Sequence, residues 1–120
     1  MGEEQQKFLS HMVDGVTVVE FLVDKIVDEI TVKDIADGLY AITERNPAVK
    51  LVLDFSNVRF LTSGALGILI NLNHKASKGG GKLVLAGIAA DILEVFRITK
   101  LHKVFDIQKN EQAAIARALK

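Results

Sequence analysis

Two short runs, Ala48-Val49-Lys50-Leu51-Val52-Leu53-Asp54-Phe55 and Lys82-Leu83-Val84-Leu85-Ala86, are apolar along most of their length and include β-branched valines. Runs of this kind are expected of strands covered on both faces. Between them, residues 63–77 read as an amphipathic helix, with Ala65, Ile68, Leu69, Leu72 and Ala76 on one stripe. A buried strand, a helix and a second buried strand make a right-handed parallel crossover. This arrangement places the chain in the α/β class and restricts the remaining elements to flanking that unit.

Residues 8–21 carry two β-prone arms joined by Asp14-Gly15. That link is the preferred two-residue hairpin turn, because both of its positions require positive φ. In the second arm Val16, Val18 and Glu20 alternate with Thr17, Val19 and Phe21. A helix is expected over 31–45, capped by Thr31, with Val32, Ile35, Ala36, Leu39 and Ile42 on its apolar face. Asn46-Pro47 ends it, since the residue before proline is pushed out of the helical region. Strands follow at 48–55 and 82–86, with helix 63–77 between them. A helix at 89–97, a strand at 104–107 and a helix at 110–119 capped by Asn110 complete the chain. The expected fold is a single α/β domain of order β-β-α-β-α-β-α-β-α, with a mixed, mostly parallel sheet opened by an antiparallel hairpin.

Composition excludes several functions. Fifteen basic and fifteen acidic residues cancel to a net charge of +0, against a general nucleic-acid or anionic-membrane binder. Aromatic residues are 6% of the chain with no Trp, which leaves few stacking surfaces for single strands. There is no cysteine, so disulfides, thiolate metal sites and a Cys nucleophile are absent. No apolar run approaches the roughly 18 residues of a membrane helix. The opening Met1-Gly2-Glu3-Glu4-Gln5-Gln6 is acidic where a secretory signal is basic, and Gln6 stands where myristoylation of Gly2 wants Ser or Thr. A cytoplasmic protein without direct membrane insertion is expected.

Sites of chemistry are scarce. Gly79-Gly80-Gly81-Lys82 follows a helix and precedes a strand, the reverse of a phosphate loop, and reads as a helix-to-strand connection. His11, His74 and His102 fall on different elements without metal-ligand spacing, so no metal site is expected. There is no G-x-S-x-G elbow, and the carboxylate pairs Glu3-Glu4 and Asp28-Glu29 read as solvated. No catalytic residue and no cofactor are expected.

The functional segment is expected where strand 48–55 ends and helix 63–77 begins, because open parallel sheets bind just beyond their strands' carboxyl ends. Asp54, Ser56, Asn57, Thr62, Ser63 and Gly64 fall there. At the helix start Ser63 faces the amides of Gly64, Ala65 and Leu66, and the helix dipole favours an anion. A phosphate on Ser63 would add about −1.5 to −2 charge and break a contact with an apolar or acidic partner. Helix capping by Thr62 and Ser63 would also account for both hydroxyls. Gly67, Leu66 and Ile70 extend the same helix, and Ile88 and Ala89 lie in a loop expected at the same sheet edge. Leu66 and Ile70 read equally well as core residues.

The stretch from Asp54 to Leu69 resembles the signature of the STAS domain family, the anti-sigma factor antagonists, which runs approximately D-L-S-x-V-x-F-[IM]-D-S-[ST]-G-L-G-x-L. Asp54, Ser56, Val58, Phe60, Ser63, Leu66, Gly67 and Leu69 match it. The resemblance continues through Gly80-Gly81-Lys82-Leu83-Val84-Leu85 and from Arg97 to Ile107. It implies a non-enzymatic module that binds an anti-sigma factor with serine kinase activity and so frees a sigma factor. It also implies that phosphorylation in the D-S-[ST]-G segment ends the interaction and that a phosphatase restores it. Ser63 is then the phosphoacceptor candidate, with Thr62 second. Thr62 stands in place of the family's acid, Gly64 in place of its second hydroxyl and Ala65 in place of its glycine. A STAS subunit of a stressosome-like scaffold or of a lipid-transport ATPase, without the switch, is the alternative. A nucleotide or lipid pocket near Ser63 is a third reading.

Overall fold

The computed structural model describes residues 6–120; Gly2 and the Glu3-Glu4 pair lie outside them. β1 (Phe8–Val13) and β2 (Val16–Phe21) form the expected antiparallel hairpin. Asp14 and Gly15 take φ of 53° and 84°, the backbone that a type I′ turn demands. β2 continues in parallel into β4 (Lys50–Asp54), β6 (Lys82–Ala86) and β7 (Asp106–Gln108), giving a five-stranded sheet of order β1-β2-β4-β6-β7.

Both faces of this sheet are covered. On one face lie α1 (Glu29–Arg45), α2 (Ser63–Lys78) and α3 (Ala90–Ile98), which bury Leu39, Leu72 and Phe96 against Val19, Phe21, Leu51, Leu53 and Leu85. On the other, α4 (Glu111–Ala118) lays Ala114 and Ala118 on Val16, Val18, Val52 and Val84. Small side chains let α4 pack close to the strands. The alternation expected in β2 is therefore divided between two cores, Val16 and Val18 toward α4, Val19 and Phe21 toward the other helices.

Several boundaries differ from the sequence reading. α1 starts at Glu29, because Asp28 is its N-cap and accepts from the Thr31 amide at 3.0 Å. Thr31 is buried inside the first turn instead of capping it. Asp28 is thus a structural group, held below its ordinary pKa chiefly by that backbone hydrogen bond. The segment after β2 contains β3 (Lys25–Ile26), which pairs in parallel with β5 (Phe60–Leu61) in a separate two-stranded sheet. Lys100, at φ 64°, ends α3, and a single 3-10 turn at Leu101–Lys103 delays the last strand to Asp106. The glycines after α2 have a packing reason: a Cβ at Gly79 would collide with Pro47, and one at Gly81 with Val49.

Candidate functional site

β4 ends against β6, where the Phe55 amide donates to the Ala86 carbonyl at 2.8 Å. Just beyond, Asp54 Oδ1 accepts from the Ser56 amide at 2.9 Å and from the Ser56 hydroxyl. Gly87 passes over this turn with φ 68°; a Cβ there would lie 2.7 Å from Ser56 Oγ and 3.0 Å from Asp54 Oδ1. Only glycine fits both that backbone and that approach. The Asn57 side-chain amide donates to the Phe21 carbonyl at 3.1 Å, tying the same turn to the end of β2. Asp54, Ser56 and Asn57 therefore shape the turn, and the loop of Ile88 and Ala89 lies beside it.

The small sheet aims the next residues. Lys25 and Ile26 pair with Phe60 and Leu61, and the Thr62 amide donates to the Ile26 carbonyl at 3.3 Å. Thr62 is the N-cap of α2: its hydroxyl accepts from the Ala65 amide at 3.4 Å and its carbonyl from the Leu66 amide at 3.1 Å. The expectation that these two amides face Ser63 is corrected here, since Thr62 takes both. Ser63 is the first helical residue, its side chain exposed and without a hydrogen-bond partner among the described residues.

The following turn is bare. A Cβ at Gly67 would meet nothing within 4 Å, and one at Gly64 only Thr62 Oγ1 at 3.7 Å. Ile70, 40% exposed, continues this face, whereas Leu66, Ile88 and Ala89 are half-buried and pack against the main core. The cavity beneath the start of α2, lined by Phe21, Ile26, Phe55 and Ala65 among others, holds about 10 Å³. That is room for about one water molecule, too little for a nucleotide or an acyl chain.

On the opposite face of the same strand ends lies a group that sequence reasoning missed. Glu20 is paired with Asp54 in the β2–β4 register, and the Glu111 carboxyl at the start of α4 faces both. Burial first, then these two carboxylates, pushes the Glu111 pKa up to about 7. His11 joins them, with ligand atoms of His11, Glu20 and Glu111 within 4.8 Å of one another. Residues 11, 20, 54 and 111 carry no shared spacing, and only the strand order brings them together.

With a hydroxyl-bearing helix start held at the end of a parallel sheet, the family comparison is decisive: residues 11–114 match the STAS domain. The chain belongs to the STAS domain family. An anti-sigma-factor antagonist STAS domain protein from Planctomyces limnophilus has a similar structure, with TM-score 0.81 and 20% identity over 94% of this chain and 98% of that one. An anti-sigma factor antagonist from Mycobacterium paratuberculosis superposes with TM-score 0.77 and 27% identity, covering 94% and 93% of the two chains. The Bacillus cell fate determinant SpoIIAA in its phosphorylated form gives TM-score 0.69 and 20% identity over 92% and 97%. In this STAS domain Thr62, Gly64 and Ala65 remain the departures from the family signature, and Thr62 retains the capping duty.

Proposed function

We propose that this STAS domain is an anti-sigma factor antagonist. It binds an anti-sigma factor with serine kinase activity through the start of α2 and the adjoining loop of Ile88 and Ala89, and thereby frees the sigma factor. The observation that carries this reading is Ser63, an exposed hydroxyl on the first turn of α2, relieved of capping by Thr62 and followed by two glycines that leave the helix surface bare. Glycine within a helix costs about 0.5–1 kcal/mol relative to alanine, which a surface meeting another polypeptide closely would offset.

Phosphorylation at Ser63 switches the contact off. The ATP γ-phosphoryl group passes to Ser63 Oγ, the hydroxyl proton leaves and ADP is released; a phosphatase hydrolyses the ester. The added charge of about −1.5 to −2 stands at a helix N-terminus that tolerates it, so the effect falls on the interface and not on the fold. The test is to recover the anti-sigma factor from native lysate on the immobilised chain, then incubate both with ATP. A single phosphate mapped to Ser63 and absent from Ser63→Ala is the expected result. A phosphate that persists in that variant, or no mass gain, overturns Ser63 as acceptor.

Gly64 supports the second reading. It offers no hydroxyl where the family has one, as suits a STAS subunit of a signalling scaffold or a lipid-transport ATPase that lacks the switch. Capture of other STAS proteins, or of an ATPase and permease, in place of a kinase would decide for it.

A further inference from the structure

The register that pairs Glu20 with Asp54 also settles which side chains surround them. Two residues earlier on each strand, Val18 and Val52 are partners, and both pack beneath α4. Side chains alternate along a strand, so Glu20 and Asp54 point to that same face at the end of the sheet. In the hairpin His11 is the partner of Val18 and shares the face with it. α4 covers the valines with Ala114, and its first residue, Glu111, lies one turn nearer the strand ends. One imidazole and two carboxylates from β1, β2 and α4 therefore converge, their ligand atoms within 4.8 Å of one another. No spacing in the sequence announces the group.

No basic side chain answers these carboxylates. The ion pairs among the described residues join Lys33 to Asp37, Arg97 to Glu94 and Arg117 to Asp106, all away from this group. The charged side chains that act on Glu111 are Glu20 and Asp54, both acidic. Asp54 already gives Oδ1 to the Ser56 amide and hydroxyl, which leaves Glu20 and Glu111 as the carboxylates beside the imidazole. Both are half-buried, whereas His11 is exposed and keeps the outer side of the group open to water.

We propose that His11, Glu20 and Glu111 bind one divalent cation of the zinc class, each through one atom, with water completing the coordination. An imidazole nitrogen suits zinc, nickel or cobalt, whereas calcium takes six to eight oxygen ligands and magnesium keeps an octahedron of oxygens. Three protein ligands with a fourth position left to solvent is a common zinc arrangement. Bonds of about 2.0–2.2 Å place the ligand atoms of a tetrahedral ion roughly 3.3–3.6 Å apart. Rotation of the exposed His11 ring toward the two carboxylates closes the difference. The two negative charges then offset the ion's two positive ones, and the ion clamps the outer strand of the hairpin to α4. The site is independent of the anti-sigma reading, since it uses neither Ser63 nor the start of α2.

The test is calorimetric titration of the purified chain, stripped with EDTA, with zinc sulfate at neutral pH. One ion per chain is expected, bound roughly tenfold or more tighter than magnesium or calcium. At a hundredfold excess over Kd, zinc should raise the melting temperature by roughly 5–10 °C. In proton NMR the ring signals of His11 should move on addition of zinc, while those of His74 and His102 stay in place. His11→Ala, Glu20→Gln and Glu111→Gln should each weaken binding about tenfold or more, and His74→Ala/His102→Ala should bind as the wild type does. Circular dichroism establishes that each variant is folded, and the three ligand variants test the site separately. Absence of binding at millimolar zinc overturns the proposal. So does binding that survives in the ligand variants, or binding of magnesium or calcium as tight as that of zinc.

Discussion

Glu20 stands opposite Asp54 in the register of β2 and β4, and the Glu111 carboxyl faces both from the start of α4. Burial, and the two carboxylates beside it, push the Glu111 pKa up. The same Asp54 holds the Ser56 turn through the amide at 2.9 Å. Asp54 thus stands in both the carboxyl group and the Ser56 turn.

The first prediction concerns pH. The Glu111 pKa rises from an ordinary 4.5 to about 7 in the folded chain. The native state therefore binds this proton more tightly than the unfolded state does. The stability it contributes is complete below the unfolded value and is lost as pH rises through about 7. Melting temperatures at pH 5.5 and pH 8 should show the wild type less stable at the higher value. Glu111→Gln, which mimics the protonated form, should reduce that difference; an unchanged difference would place the effect elsewhere.

A second prediction concerns the cap of α2. Thr62→Ala removes the hydroxyl that accepts from the Ala65 amide and should cost about 0.5–1 kcal/mol in urea unfolding. Thr62→Asp keeps a capping oxygen and puts a negative charge at the helix N-terminus, so it should match or exceed the wild type.

Gly67 separates stability from binding. Because nothing stands within 4 Å of a Cβ there, Gly67→Ala should stabilise the chain by about 0.5–1 kcal/mol. If the bare face meets a partner, the same substitution should slow association or hasten release, measured by surface plasmon resonance against the recovered anti-sigma factor. Stabilisation with unchanged affinity would remove this face from the interface.

Ser63→Asp tests charge at the proposed switch. The side chain is exposed at the start of α2, so the denaturation midpoint should stay within about 0.5 kcal/mol of wild type or rise slightly. Affinity for the kinase partner should fall while Ser63→Ala binds as the wild type does. Equal affinities for the two variants would count against electrostatic switching.

The core offers a calibration. Phe21 is fully buried, 4.9 Å from the Phe55 ring centre, beneath the turn that Asn57 fastens. Phe21→Ala should cost about 3–5 kcal/mol, read from chemical denaturation.

Elements governed by local chemistry were legible in the sequence. Asp14-Gly15 dictated the hairpin turn, the uninterrupted apolar run placed β6 at Lys82–Ala86, and Asn110 announced α4. Elements formed by distant partners were not. β3 and β5 are two residues each, too short to show alternation, and exist only because Lys25 and Ile26 find Phe60 and Leu61. The start of α1 was ambiguous because Asp28 and Thr31 are both good caps three residues apart, and burial of Thr31 decided between them. The exposed position of Ser63 at the start of α2 was readable from its place between a buried strand and a helix. The Glu20–Asp54–Glu111 group was invisible, since strand order alone assembles it.

Gly87 lies so close to Ser56 and Asp54 that the two loops leaving β4 and β6 share one volume. Neither loop can lengthen, shorten or take on bulk there unless the other yields in step. Grafting new specificity onto this scaffold therefore means exchanging the two segments together, as a matched set.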